Sequence, residues 1–166
     1  MKFINYFLLL LSYVAFGQNQ INTVLVKTSP LEDFSIIRID EFGTQYIHNE
    51  TTLYTKNNYG NHEYKNIQLG NITTIDAFNP LKINVFYDDF NTVILLDNRL
   101  AEITKIDFNL ISPYRDITHV SAAYDNDLWV FNINTQQLEL FNYLDNKTKF
   151  QTLPVNGDVL DLTSNY

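Results

Sequence analysis

At 166 residues, 45% of them hydrophobic, with 12 Phe and 11 Tyr against a single Met, the chain is long enough for one ordinary domain packed by large, rigid side chains. Its formal charge of −8 is dispersed rather than gathered in a tail, which argues against the clustered Lys and Arg of phosphate-backbone binding, so no nucleic-acid partner is expected. Having no cysteine, the chain has neither disulfides nor a lipid-bearing N-terminal cysteine.

From the start, Lys2 supplies a positive charge, Phe7 to Val14 form an apolar stretch broken by one serine, and Ala15-Phe16-Gly17 place small residues after it. That is the anatomy of a signal peptide over residues 1–17, with cleavage after Gly17, because a lasting span needs roughly 20 apolar residues. No second such stretch follows, so the rest of the chain, 18–166, is expected to be a soluble domain in the periplasm or outside the cell. Ile21 to Lys27 reads as an extra N-terminal strand.

Beyond it, helical spacing of apolar residues is rare, and short runs of Ile, Val, Thr, Tyr and Phe recur. Strands are expected at Thr44 to His48, Thr52 to Lys56, Tyr64 to Leu69, Ile72 to Ala77, Lys82 to Asp88, Thr92 to Asp97 and Glu102 to Phe108. More follow at Ile117 to Tyr124, Leu128 to Asn132, Gln137 to Asn142 and Thr148 to Leu153. The pairs Asp97-Asn98, Asp125-Asn126 and Asp145-Asn146 mark turns, since their side chains bond nearby backbone and tolerate tight conformations.

Self-similarity orders these strands. Ile36-Ile37-Arg38-Ile39-Asp40 resembles Ile72-Thr73-Thr74-Ile75-Asp76, with looser echoes at Ile117-Thr118-His119-Val120 and Val159-Leu160-Asp161-Leu162, at intervals of 36, 45 and 42 residues. Asn91-Thr92 and Asn134-Thr135 repeat on the same beat, and Pro30, Gly70, Pro113 and Pro154 punctuate it, proline ending one ladder before the next begins. Ile83 to Tyr87, Val93 to Leu96 and Leu128 to Phe131 are largely apolar on both faces, whereas Glu102 to Phe108 mixes charge with Ile103 and Ile106 as an outer strand does.

Four strands per period of about 40 to 45 residues is what a propeller blade requires, and here the chain resembles the β-propeller repeat superfamily over roughly residues 34–166. No Trp-Asp pair closes a blade, and Trp129 sits mid-strand, so the resemblance is not to WD40 proteins proper. The expected fold is all-β, a partial propeller of about three four-stranded antiparallel blades at 31–69, 70–112 and 113–153. An extra N-terminal strand and the start of a fourth blade at 155–166 complete it. Closed propellers usually hold four to eight blades, so a larger propeller of which this is a fragment, or self-association through an open C-terminal edge, is expected.

His48, His62 and His119 fall in different repeats without metal-ligand spacing, His62 within a polar loop from Asn57 to Glu63. His119 lies on an inner strand facing the channel, and Asp40 and Asp76 stand at matching inner-strand ends, so Asp40, Asp76 and His119 are the candidate ligand-binding residues. A residue recurring at one place in successive blades also serves one turn or capping job, which is the simpler account of the aspartates. Asp88-Asp89 and Asp125-Asn126-Asp127 lack the glycine and distant glutamate of a calcium loop. With no nucleophile elbow and no phosphate-cradling glycine loop, no catalytic residue, metal or cofactor is expected. Tyr46, Tyr54, Tyr59, Tyr64 and Tyr114 offer either packing between blades or a contact surface. The function expected is an exported, non-catalytic binding or scaffold module for a protein or glycan partner. The alternative is a remnant or subunit of a propeller-type hydrolase or lyase acting on glycans.

Overall fold

Twelve strands, taken four at a time, form three antiparallel sheets in this computed structural model, which describes residues 21, 23–25, 28, 30, 33–157 and 161–163. The chain divides into Met1–Pro30 and Leu31–Tyr166, and the sheets belong to the second unit. The first sheet comprises β1 (Ser35–Ile39), β2 (Gln45–His48), β3 (Thr52–Asn57) and β4 (Gly60–Lys65). The second comprises β5 (Thr74–Asp76), β6 (Ile83–Tyr87), β7 (Thr92–Leu96) and β8 (Glu102–Asp107), and the third β9 (Ile117–Ala122), β10 (Asp127–Asn132), β11 (Gln137–Asn142) and β12 (Lys147–Gln151). In each sheet spatial order follows chain order, so every connection within a sheet is a hairpin.

Asn and Asp make those hairpins turn. Asp40, Asn57, Asp97 and Asn142 each use Oδ1 to accept from backbone N–H groups two or more residues on, relieving donors that the ladder leaves unpaired. Left-handed conformations fall on Asn91, Asp125 and Asn146, residues whose short polar side chains tolerate them, and on Leu100 and Gln136.

Two apolar interfaces hold the sheets together. Because side chains alternate along a strand, β6 and β7 send Ile83, Val85, Tyr87, Ile94 and Leu96 against Tyr46, Leu53 and Tyr64 of the first sheet. The opposite face sends Phe86, Val93 and Leu95 against Ile117, Val120, Leu128, Val130 and Phe141 of the third. All ten residues of β6 and β7 are buried, which is why their sequence shows no polar face.

Polar ties cross the same interfaces. The Lys82 ammonium, itself buried, donates to the carbonyls of Ala123 (3.0 Å), Asp125 (2.6 Å) and Asp127 (3.4 Å) in the third sheet. Asn91 joins the same two sheets, its amide donating to Arg115 O (2.6 Å) while its oxygen accepts from Ile117 N (3.1 Å). Between the first and second sheets Tyr64 Oη donates to Glu102 (2.6 Å), and Ile72 N to Glu50 O (2.7 Å). Within the third sheet the buried Arg115 guanidinium pairs with buried Glu139 at 2.9 Å, and Thr148 and Asn132 also donate to that carboxylate. Burial pushes the Glu139 carboxyl up, but those hydrogen bonds and the Arg115 charge together hold it below the usual carboxylate range.

Several expectations change. Tyr64 and Lys65 belong to the end of β4, but Ile67–Leu69 is a 3-10 turn capped by Asn66, because the chain must leave the outer strand of one sheet for the inner strand of the next. The polar run from Asn57 to Glu63 is a tight turn followed by β4, which carries exposed His62. The leader at 1–17 lies outside the described residues. So does part of the N-terminal strand expected at Ile21 to Lys27, whose described residues 21 and 23–25 carry no strand. Of the fourth inner strand, residues 155–157 and 161–163 are described and carry no ladder; Val155 N instead donates to Gln136 O (2.7 Å), holding the chain against the third sheet. Among the described residues no helix is long and apolar enough to cross a membrane.

Lys82→Met should lower the unfolding free energy by about 2 kcal/mol in urea denaturation, since three carbonyls lose their donor while the apolar stem is kept. Burial also pushes the Tyr87 hydroxyl up to about 12, neighbouring Tyr64 easing the shift and Glu102 adding to it. Unfolded tyrosine ionises near pH 10, so between roughly pH 10 and 12 the unfolded state binds fewer protons and stability falls as pH rises. The loss from this one group should reach about 2.7 kcal/mol, and Tyr87→Phe should remove that part of the alkaline slope in pH-dependent denaturation curves.

Candidate functional site

The three inner strands, β1, β5 and β9, converge on one cavity of about 270 Å³. Ile37 and Arg38 line it from the first sheet, Thr74 to Phe78 from the second, and His119 to Ser121 from the third, with Asp161, Leu162 and Thr163 alongside. Ile37, Ile75, Ala77, Phe78, Val120 and Leu162 make its wall mostly apolar, and Arg38, Asp76, His119, Ser121 and Asp161 supply a few polar groups. Such a mixture suits a small organic ligand or the tip of a larger one.

A bulge in β1 puts Arg38 there. Ile36 pairs with Ile47 and Arg38 with Tyr46, so Ile37 is the extra residue. Ile37 packs on the first apolar interface, while the Arg38 guanidinium donates to Phe78 O (2.7 Å) and lies 5.1 Å from the Phe78 ring centroid. The Arg38 guanidinium at the cavity is thus braced by the second sheet.

Asp40 and Asp76 do perform one shared job. In each, Oδ1 accepts from the backbone N–H two residues on, Phe42 at 3.0 Å and Phe78 at 2.9 Å. Their second oxygens part ways. Asp40 Oδ2 meets Tyr46 Oη at 3.4 Å within its own sheet, and Asp40 does not line the cavity. Asp76 Oδ2 crosses to the third sheet and accepts from Ser121 Oγ (3.0 Å) and Ala122 N (2.8 Å). The Tyr46 hydroxyl is pushed up by burial, with the Asp40 charge and hydrogen bond adding to it and Arg38 opposing.

His119 is half-buried, its Nδ1 2.9 Å from Thr118 Oγ1 and its ring edge-on to Phe131. The Asp88 carboxyl nearby is pushed up by partial burial and by the charges of Asp89 and Asp116, with His119 opposing. The structure therefore brings Asp76 and His119 to one cavity and leaves Asp40 at its turn. Arg38 was missed in the sequence, although it is the one charge between the apolar residues of the first repeat, two places before Asp40. At the Asp125-Asn126-Asp127 turn the cation in reach of the backbone oxygens is Lys82, and Asp127 is engaged by Asn142 and Lys149. Among the described residues no three His, Asp or Glu converge as metal ligands. Of the singled-out tyrosines, Tyr46 and Tyr64 pack between sheets, Tyr54 stacks edge-on with Phe34, and Tyr59 and Tyr114 are exposed.

No protein-family model and no curated protein sequence matches the chain. Among solved structures, apo AztD from Citrobacter koseri superposes with a TM-score of 0.56 at 12% identity, covering 86% of this chain and 40% of AztD. Streptogramin B lyase superposes at 0.53 and 11% identity, covering 75% and 42%. Virginiamycin B lyase from Staphylococcus aureus does so at 0.50 and 12% identity, covering 72% and 40%. These are propeller-type proteins. The fold is a partial β-propeller. Its three sheets are blades, the cavity lies where the inner strands meet, and the chain spans about two fifths of the length of the propellers it matches.

If the two aspartates differ as their second oxygens do, Asp76→Asn should cost about 1–3 kcal/mol, because an amide nitrogen cannot accept from Ser121 and Ala122. Asp40→Asn should cost under about 0.5 kcal/mol, asparagine being equally able to close the turn. Urea denaturation of the two variants side by side checks the contrast.

Proposed function

We propose that this partial propeller is an exported binding module whose site is the cavity where the inner strands meet, taking a glycan or a segment of a partner protein. One observation carries the reading: strands from all three blades deliver side chains to a single cavity with apolar walls and a few polar groups. Arg38 and His119 are the groups offered to a ligand, and Ile75, Phe78 and Val120 give its apolar surface. Asp76 is better suited to structure than to turnover, since both of its oxygens are engaged by backbone or hydroxyl donors. Export is supported by Lys2, the apolar run and the small residues up to Gly17.

A second reading is a remnant or subunit of a propeller-type hydrolase or lyase acting on glycans; streptogramin B lyase and virginiamycin B lyase among the superposed structures favour the lyase class and say nothing of a glycan. It places Asp76 and His119 in chemistry.

Ligand-observed NMR against a panel of oligosaccharides and short peptides tests the first reading. His119→Ala should weaken any hit at least about tenfold, an interaction of roughly 1.4 kcal/mol, while His62→Ala on the exposed strand leaves it unchanged. Equal binding by both variants would place the site elsewhere. Product formation from any panel member that stops in Asp76→Asn would replace the binding reading with the enzymatic one.

A further inference from the structure

A second cavity, of about 460 Å³, opens on the third blade and shares no residue with the axial one. Its volume falls within the roughly 300–1,000 Å³ of ligand sites. Alternation along β11 explains its position: Gln137, Glu139 and Phe141 share one side of that strand, and Phe141 is buried against Phe108 in the interface with the second blade. Toward the β10–β11 turn the same side becomes polar. Asn132 stands opposite Gln137, and Gln151 of β12 stands opposite Glu139. The link from β8 to β9 brings Tyr114 and Arg115 to this polar end.

The buried members of the cavity, Arg115, Glu139 and Asn132, are fixed in place by their own hydrogen bonds. Arg115 Nε donates to Glu139 (2.9 Å), Nη1 to Pro113 O (2.8 Å) and Nη2 to Thr148 Oγ1 (2.9 Å), while the guanidinium lies 5.1 Å from the Phe141 ring centroid. A guanidinium carries five N–H donors, so two remain for an acceptor. Gln137 Nε2 donates to Thr152 O (2.7 Å), which leaves its Oε1 to accept. A buried ion pair adds little stability and serves best where it fixes one geometry. Here that geometry is the floor of the cavity, with exposed Tyr114, Thr135, Asn146 and Gln151 around it.

These groups select a ligand. Apart from Pro113 and the Tyr114 ring every lining side chain is polar, so the side chains of a peptide segment find little apolar surface here. Carboxamides and hydroxyls both donate and accept, as the hydroxyls of a sugar do, and an exposed tyrosine ring offers a flat face to sugar C–H groups. The Arg115 and Glu139 charges cancel, leaving Lys147 as the one formal charge among the lining residues. We propose that this cavity is a second binding site whose ligand is an uncharged saccharide, its hydroxyls bonded by Arg115, Gln137 and Gln151 and its ring set against Tyr114. The site does not rest on the reading of the axial cavity.

The test is an NMR titration of the full, 15N-labelled chain with maltose, cellobiose and lactose, and with galacturonate as the charged counterpart. At least one neutral sugar should bind with a dissociation constant of about 10 mM or below and move the backbone amides of Tyr114, Arg115, Gln137 and Gln151, while those of Thr74 to Phe78 stay in place. Tyr114→Ala and Gln151→Ala, both at exposed positions, should each weaken that binding at least about fivefold with the β-sheet circular dichroism retained. Tyr59→Ala, which removes an equally exposed ring from the first blade, should leave it unchanged, and added salt should have no effect on a neutral ligand. No shift with any of the three neutral sugars at about 50 mM, shifts confined to the axial cavity, or binding of galacturonate alone would overturn the proposal. Sugar shifts here with no ligand found at the axial cavity would remove the earlier reading alone.

Discussion

A sheet with apolar side chains on both faces must be covered on both sides, and the second blade is that sheet. Its two central strands bury every residue, six on the side of the first blade and four on the side of the third. Removing either neighbour exposes several Ile, Leu, Val or Phe side chains, each worth about 1.5–3 kcal/mol when fully buried. Blade stacking is therefore the source of stability in this molecule. The hairpins within a blade supply the register, and the stacking supplies the reason to keep it.

Apolar faces alone tolerate sliding, and the polar ties remove that freedom. Lys82, Asn91 and Asp76 all reach from the second blade to backbone groups of the third, and backbone groups occupy fixed positions in a way that side chains do not. Lys82 bears a desolvation cost for this: burial pulls its ammonium below the usual lysine range, while Asp127, Asp125 and Asp76 pull it back. The Arg115–Glu139 pair does the corresponding work inside the third blade, where Thr148 and Asn132 satisfy the remaining carboxylate lone pairs. A buried pair so completely bonded specifies one arrangement more than it adds to stability.

The same constraint places the cavity. Inner strands approach the axis and cannot pack face to face there, so their end residues are left with polar neighbours and space. β5, only three residues long, ends at Asp76, where the turn begins and the next blade is within reach. The site and the interface between blades thus share Asp76, and His119 stands on the face of the third blade away from the second as well as at the cavity.

The order of strands was legible in the sequence because a period-two pattern, Asx turns and a repeat near 40 residues are local properties. Ile83 to Tyr87 and Val93 to Leu96, largely apolar on both faces, announced burial on both sides, and Glu102 to Phe108 announced an outer strand through its charges. The matching turn role of Asp40 and Asp76 was also readable, since both accept from the residue two places on. What only the tertiary structure decided was where the second oxygen of each aspartate goes, that Lys82 reaches three carbonyls more than 40 residues away, and that a bulge turns Arg38 toward Phe78. Those facts depend on how one blade is rotated against the next, a quantity set by the packing of distant side chains and carried by no single stretch of sequence.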